Sequence, residues 1–368
     1  MLENKQSNKN LAYIGTYTPK SHGVYCFDVS EQGELTNKRL AAALENPAQL
    51  THKNGQFLYV ALEISQYQGK ETGCILSFEI KSDGSLAKIN EIDSFGSGPA
   101  YITLSQCQNY LLVANYAGGS TSVFELASDG RILSPTFLES HLGNAISCIP
   151  KLAPEGGFVE CGHDASHAHM ISSSPDNNFL IGTDLGLDRI NLWSFDSVSG
   201  QAAPHNPSHI ECDKGSGPRH FVFHPTIACI YLLSEQASTL TTYEYNSDFK
   251  LSKKHEISSL PEGYKGTSFA SDIKISQDGK FLYALNRLHN SIAIFNIDEQ
   301  GKATLMKVEW CRGDFPRGFT LSLCGKFCYV TCQNSDNVTI FERCDTSGLL
   351  NFTEKYIPVG SPSQLIVL

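Results

Sequence analysis

A hairpin pattern repeats from one end of this chain to the other, and such a repeat restricts the possible folds more than composition does. Its clearest copy is residues 217–235, GPRHFVFHPTIACIYLLSE. Arg219 to Phe223 form an extended, alternating run, and His224-Pro225-Thr226 breaks it. Ile230 to Leu233 form a second apolar run, too short for a helix and rich in strand-favouring residues. An antiparallel pair returns to the level where it starts, so Arg219 and Glu235 are predicted to lie near one another on one face.

Further first strands begin at Pro47, Pro99, His167, Ala270, Pro316 and Pro362. Second strands read FLYVALE, YLLVANY, FLIGTDL, CIYLLSE, FLYALNR and FCYVTCQ, with LAYIGTY near the start of the chain. A third strand carrying an aromatic follows most of them, and then a looser fourth. The central position of the second strand falls at Tyr13, Tyr59, Leu112, Ile181, Tyr231, Tyr283 and Tyr329, roughly 46 to 70 residues apart, as in four-stranded propeller blades with loop insertions. Two unrelated β-sandwiches would not carry one repeat unbroken from end to end. The first copy lacks its first strand, and residues 361–368 have that strand's pattern. The reading is therefore all-β: a seven-bladed β-propeller of four-stranded antiparallel blades. Its C-terminal strand joins the N-terminal blade, which closes the ring and removes an open sheet edge.

Residues 1–10 read as a disordered tail and 11–368 as a single domain. Gly84, Gly130, Gly200, Gly301 and Gly348 mark turns between third and fourth strands. Two insertions stand out, 132–164 and 258–269, and long loops in compact domains are often functional or mobile.

The net charge of −10 argues against nucleic acid and anionic membranes as partners. No apolar run reaches the roughly 18 to 20 residues of a membrane span, and the polar first ten residues are unlike a signal peptide. The twelve cysteines are scattered, many of them inside strands. That pattern fits free thiols in a reducing cytoplasm better than a disulfide framework. Cys148, Cys161 and His163 match no compact zinc spacing. Asp184 and Asp188 read first as turn residues.

In a repeat protein, a chemically different residue in one copy points to a local purpose. The first strands open with Pro47, Pro99, His167, Pro218, Ala270, Pro316 and Pro362, so His167 stands where proline is usual. The next position holds Ala48, Ala100, Ala168, Arg219, Ser271, Arg317 and Ser363, where two arginines replace small residues. Four positions after the tyrosine column come Tyr17, Glu63, Tyr116, Leu185, Glu235, Arg287 and Gln333. These columns are predicted to face one mouth of the central channel. Arginine forks match carboxylate or phosphate, and a carbonyl oxygen held by them is stabilised as an oxyanion. A histidine or carboxylate beside them moves protons near neutral pH. His167, Glu235, Arg219 and Arg287 form the candidate catalytic set. Arg317, His220, His169, Tyr116 and Asn286 are candidates for substrate contact.

These residues resemble the lactonase seven-bladed β-propeller family, which includes cycloisomerase-type 6-phosphogluconolactonases and 3-carboxy-cis,cis-muconate lactonizing enzymes. The motifs that carry the resemblance are IGTYT (14–18), LLVANYAGGSTSVF (111–124), SHAH (166–169), DLGLDRI (184–190), GPRHFVFHP (217–225), Ser234-Glu235, GKFLYALNR (279–287) and PRGF (316–319). The family's functional His, Arg, Glu and Arg carry over onto His167, Arg219, Glu235 and Arg287. The resemblance implies hydrolysis of a small anionic sugar-acid lactone, most of all 6-phosphogluconolactone, in the cytoplasm. His167 or Glu235 would then be the general base on water. The scheme calls for no cofactor and no metal, and a monomer or weak homodimer. The same site would suit a muconate cycloisomerase, and a propeller can also be a non-catalytic protein-binding module.

Overall fold

The computed structural model describes residues 10–145, 148–157 and 162–368. The predicted tail, save Asn10, lies outside the described residues, and Asn10 opens the first strand, Asn10–Thr16. The described residues form seven four-stranded antiparallel sheets and no helix. Blade 1 combines 10–43 with Pro362–Val367; blades 2 to 7 are 47–93, 99–140, 168–211, 218–258, 269–310 and 316–358. The predicted propeller with four antiparallel strands per blade is the fold observed.

In blade 1, Pro362–Val367 pairs with Asn10–Thr16, placing Tyr13 opposite Ile366. The ring is closed by that chain end as predicted. The innermost strands then pack side by side around the axis, with Pro362–Val367 between Pro316–Leu321 and Pro47–Lys53. Gln364 Oε1 accepts from Leu50 N at 2.6 Å, and Ser363 Oγ donates to Ala48 O at 2.8 Å.

The apolar core lies between blades rather than inside any one of them. Tyr231, Leu233 and Leu240 of blade 5, for example, pack against Ile273, Leu282 and Phe295 of blade 6. Each blade thus buries its apolar faces only against its neighbours, which is why an unclosed ring would leave two faces wet.

The tyrosine column adds a polar pin. All seven central side chains of the second strands are fully buried. The hydroxyls of Tyr13, Tyr231, Tyr283 and Tyr329 donate to the carbonyls of Gly84, Gly301, Gly348 and Gly33 at 2.9, 2.7, 2.8 and 3.0 Å. Each acceptor is the turn glycine of the next blade. Gly301 sits at φ 81° and Gly348 at φ 68°, a conformation that glycine adopts without strain. Tyr59 has the same place in its strand, but its hydroxyl has no partner among the described residues. Tyr283→Phe is therefore expected to cost about 1 kcal/mol, and Tyr59→Phe close to nothing. Urea unfolding midpoints of the two variants check this difference; equal losses would contradict it.

The first insertion is shorter than the sequence reading placed it. Ile132–Ser140 is the outer strand of blade 3, so the extra chain begins only after it. The second connects Leu251–Ser258 to Phe269–Ile275. The two loops meet: Gly266 N donates to Glu155 O at 2.9 Å, and Lys265 pairs with Glu155 at 3.0 Å. The described cysteines are all free, and those inside strands, Cys26, Cys74, Cys229, Cys328 and Cys332, are all buried. No helix of the described residues is long and apolar enough to cross a membrane.

Candidate active site

One repeated backbone bond sets the level of the channel mouth. The amides of Tyr17, Glu63, Tyr116, Leu185, Glu235 and Gln333 donate to the carbonyls of Ser361, Asn46, Gly98, His167, Gly217 and Phe315 at 2.6–3.1 Å. All six bonds tie the end of a second strand to the residue before a first strand. The predicted column of mouth residues is therefore real.

Just inside the mouth, the pairing of first and second strands skips a residue in every blade. A bulge of this kind re-aims the side chain it carries. Arg219 and Arg317 stand at the skipped position in blades 5 and 7, with Ala48 and Ala100 in blades 2 and 3. In blade 4 the skipped residue is His169.

This corrects the sequence alignment of blade 4 by one residue. Ala168, not His167, occupies the proline position, since Ala168 pairs with Asp184 as Pro218 pairs with Ser234. Ile171 opposite Gly182 then matches Phe221 opposite Leu232. His167 takes the place of Gly217, one residue farther out. The cause is the pair Met170-Ile171: both are apolar, and a one-residue slip exchanges which of them faces the core. A turn signal resolves it. Ser174 Oγ bonds Asp176 Oδ1 and accepts from Phe179 N, and Ser276 does the same with Asp278 and Phe281. Aligning these two Ser-x-Asp turns puts His169 level with Ser271.

Arg219, Glu235 and Arg287 come together, from blades 5 and 6. Glu235 Oε2 lies 2.9 Å from Arg219 Nε and 2.5 Å from Arg287 Nη2. Both arginines are also held by backbone: Arg219 Nη1 donates to Ser271 O, and Arg287 Nη2 to Ala270 O at 3.1 Å. Phe269 and Phe315 flank the Arg287 guanidinium at 5.5 and 5.1 Å, in reach of a cation–π contact. All three charged side chains are nearly fully buried. Burial pushes the Glu235 carboxyl up, but Arg287 and Arg219 together hold it below its usual range. Burial and the charge of Arg287 bring Arg219 down to about 10, still a cation at neutral pH.

Arg317 belongs to a second cluster at the same mouth. Its Nη2 lies 3.4 Å from Glu63 Oε2, which accepts from Tyr17 Oη at 2.5 Å. Its guanidinium also covers the Tyr17 ring at 5.1 Å.

His167 and His169 sit on two sides of Tyr116. The His167 ring stacks on it at 4.3 Å, and the His169 ring meets it edge-on at 5.4 Å. His167 Nδ1 bonds Tyr116 O at 3.0 Å and Nε2 bonds Asp164 Oδ1 at 2.8 Å. His169 is 5 % exposed, and its Nδ1 has no hydrogen-bond partner among the described residues. Its other face meets His220 at 5.0 Å. Burial, then the charges of Arg219, His220 and Arg317, push the His169 imidazolium well below its usual range.

His220 is tied to Asp272. Its Nδ1 pairs with Asp272 at 3.1 Å, and Asp272 accepts from Phe319 N at 2.9 Å and from Lys274. His220, Asp272, Lys274 and Tyr101 line a cavity of about 330 Å³ deeper in the channel. Burial and Arg219, opposed by Asp272, bring His220 down to about 3.

Asn286 is a correction. Its amide donates to Ser259 O at 2.8 Å and Ser291 Oγ at 3.2 Å, and its oxygen accepts from Ser259 Oγ at 2.6 Å. These bonds fasten the second insertion to blade 6, so the side chain is occupied away from the mouth. Asn115 does the same work in blade 3, bonding Ser120 Oγ and Ser94 O. Asp184 and Asp188 prove to be anchors rather than simple turn residues. Asp184 Oδ1 accepts from the amides of His167 and Leu187 at 2.9 and 3.0 Å. Its Oδ2 binds Ser166 and His141. Asp188 accepts from the amides of Gly215 and Gly217 at 2.6 and 2.8 Å and pairs with His163. They fix the backbone just before His169 and Arg219. Cys161, considered with Cys148 and His163 as a zinc set, lies outside the described residues. Asp164, Glu63, Tyr17 and Asp272 were not singled out by sequence. Glu63 and Tyr17 stood in the mouth column, and only their pairing with Arg317 across blades gives them meaning.

The comparisons with known proteins can now be set beside this geometry. Residues 11–367 match the model of the lactonase, 7-bladed beta-propeller family. The chain belongs to that family. A 6-phosphogluconolactonase of Bacillus subtilis is 29 % identical, over 96 % of this chain and 97 % of its own. One of Formosa agariphila is 32 % identical, over 96 % and 98 %. A solved periplasmic gluconolactonase of Pseudomonas aeruginosa superposes with a TM-score of 0.86 at 29 % identity, covering 98 % of this chain and 99 % of that one.

The buried and half-buried histidines of this lactonase set a pH dependence of stability. His169, His220, His52, His224 and His289 all have folded-state values below their usual one, with burial as the leading cause. Below about pH 6.5 the unfolded chain takes up protons that the folded chain refuses, so stability falls as pH drops from there. The thermal midpoint is expected to decline between pH 6.5 and 5. A level midpoint over that window would contradict it.

Proposed function

We propose that this lactonase hydrolyses a sugar-acid lactone, with 6-phosphogluconolactone as the favoured substrate and 6-phosphogluconate as the product. One observation carries the reading. Arg219, Arg287 and Arg317 reach one channel mouth from three blades and, among the described residues, pair with only two carboxylates there, Glu235 and Glu63. In a chain of net charge −10, this leaves a local excess of positive charge. The names of the relatives from Bacillus subtilis and Formosa agariphila support the phosphorylated sugar lactone.

In this scheme Arg219 and Arg287 hold the lactone carbonyl and stabilise the oxyanion formed when water adds to it. Glu235 keeps the two cations in place without the cost of leaving them unpaired. His167, held between Tyr116 O and Asp164, delivers a proton to the ring oxygen as it departs. Arg317 binds the anionic tail.

The test is a side-by-side rate measurement on 6-phosphogluconolactone, gluconolactone and 3-carboxymuconate, each against its spontaneous reaction. The phosphorylated lactone is expected to be favoured at least about tenfold in kcat/KM, the factor that 1.4 kcal/mol of extra binding gives. Equal rates on both lactones would remove the phosphate from the reading. Turnover of the muconate alone would make the site a cycloisomerase, and no acceleration of any would end the enzymatic reading.

A further inference from the structure

We infer that Glu63 is a specificity residue: its carboxylate competes with the substrate's phosphate for Arg317 and so sets the preference between phosphorylated and plain sugar-acid lactones. The inference rests on the lactonase reading above. It concerns the cluster drawn from blades 7, 2 and 1, beside the one that holds the carbonyl.

The two carboxylates of the mouth are held differently. Glu235 lies between two arginines, at 2.9 and 2.5 Å, and its side chain is 8 % exposed. Glu63 meets one arginine, at 3.4 Å; its side chain is 26 % exposed and that of Arg317 14 %. A partly exposed pair with one long contact is weak, and it leaves unused the two-pronged fit that a guanidinium offers to an anion. Arg317 stands at the bulged position that also carries Arg219, so the same backbone device aims both. The charge of Arg317 bears on Glu235 and on Arg219, which puts one small substrate within reach of both clusters.

Glu63 keeps a hold of its own when Arg317 turns to a ligand. Tyr17 Oη donates to Glu63 Oε2 at 2.5 Å, and the Glu63 amide donates to Asn46 O at 2.9 Å. The Tyr17 ring also carries the Arg317 guanidinium at 5.1 Å, so the arginine stays at the mouth. Charge then decides what this cluster accepts. Arg219, Arg287 and Glu235 together leave one positive charge, whereas Arg317 and Glu63 cancel. A phosphate brings nearly two negative charges at neutral pH; it gains Arg317 but faces Glu63. A plain hydroxyl in the same place donates to Glu63, accepts from Arg317 and meets no repulsion. Glu63 is thus the repulsive element that a discriminating site uses against one ligand, and removing its charge leaves Arg317 free for the phosphate.

The experiment measures kcat/KM on 6-phosphogluconolactone and on gluconolactone for wild type, Glu63→Gln and Arg317→Gln, at low and high salt, and compares the ratio of the two. A misfolded fraction lowers both rates alike and cancels in that ratio. Glu63→Gln is expected to raise the ratio at least about fivefold, which is about 1 kcal/mol, and Arg317→Gln to lower it by as much. Added salt should shrink both changes. Calorimetric dissociation constants of 6-phosphogluconate and gluconate give the same ratio without turnover. A smaller rise, no rise or a fall in Glu63→Gln would overturn the inference, and so would an unchanged ratio in Arg317→Gln. A wild type that treats the two lactones alike would remove the phosphate preference from the function, while the rise in Glu63→Gln would still uphold the role of Glu63. A wild type with no lactonase activity would defeat the lactonase reading itself. The dissociation constants then decide the role of Glu63, and binding of neither acid would overturn it.

Discussion

Glu235→Ala is expected to destabilise the protein by roughly 3–5 kcal/mol, the usual loss when one partner of a buried ion pair is removed, and to abolish lactone hydrolysis. Glu235 is the only carboxylate among the described residues bonded to both Arg219 and Arg287. Without it two buried guanidinium groups stand side by side, held by backbone carbonyls and with no bonded carboxylate among the described residues. Such cations repel each other and have lost their hydration. Glu235→Gln keeps the shape and one acceptor oxygen, so its loss should be smaller and its activity equally low. Thermal and urea unfolding of the three proteins measures the first effect, and lactone turnover the second. A Glu235→Ala protein as stable as wild type would mean that the two arginines find other partners.

Removal of residues 361–368 is expected to do more still, by preventing a stable fold. That segment supplies the inner strand of blade 1 and buries Leu365 and Val367 between the first and last blades. Its loss opens the edge of Asn10–Thr16 and parts the ring, exposing strand edges that pair with other chains. The truncated chain should aggregate or remain unfolded. Leu365→Ala is a gentler probe, expected to cost about 2–5 kcal/mol for a fully buried leucine. Soluble, monomeric truncated protein with a native circular dichroism spectrum would show that the ring does not depend on its closing strand.

The fold was legible because each blade repeats the same alternation, and errors in one copy are checked by the other copies. The site was less so. Arg219 stood out because it replaces a small residue of its column, Glu235 and Arg287 because they bring charge to a column at the mouth, and all three do meet. Asn286 stands beside Arg287 in sequence, yet its amide is spent on Ser259 of the second insertion and on Ser291, neighbours that only the folded chain brings to it. The fourth blade shows where pattern reading stops. Adjacent Met170 and Ile171 allow two registers, and the choice decides which histidine shares the arginine column. Only pairing with Gly182, or the Ser174-Pro175-Asp176 turn, separates them. Glu63 and Tyr17 gain their role from Arg317, which lies far along the chain and becomes a neighbour only when the ring closes.

The most direct test of the site is locational. Crystals soaked in 6-phosphogluconate should show the acid bound at one mouth of the channel. Its carboxylate should lie within hydrogen-bond distance of Arg219 and Arg287. Product bound only at the deeper cavity of Tyr101, His220, Asp272 and Lys274, with the arginine cluster still bare, would contradict the account.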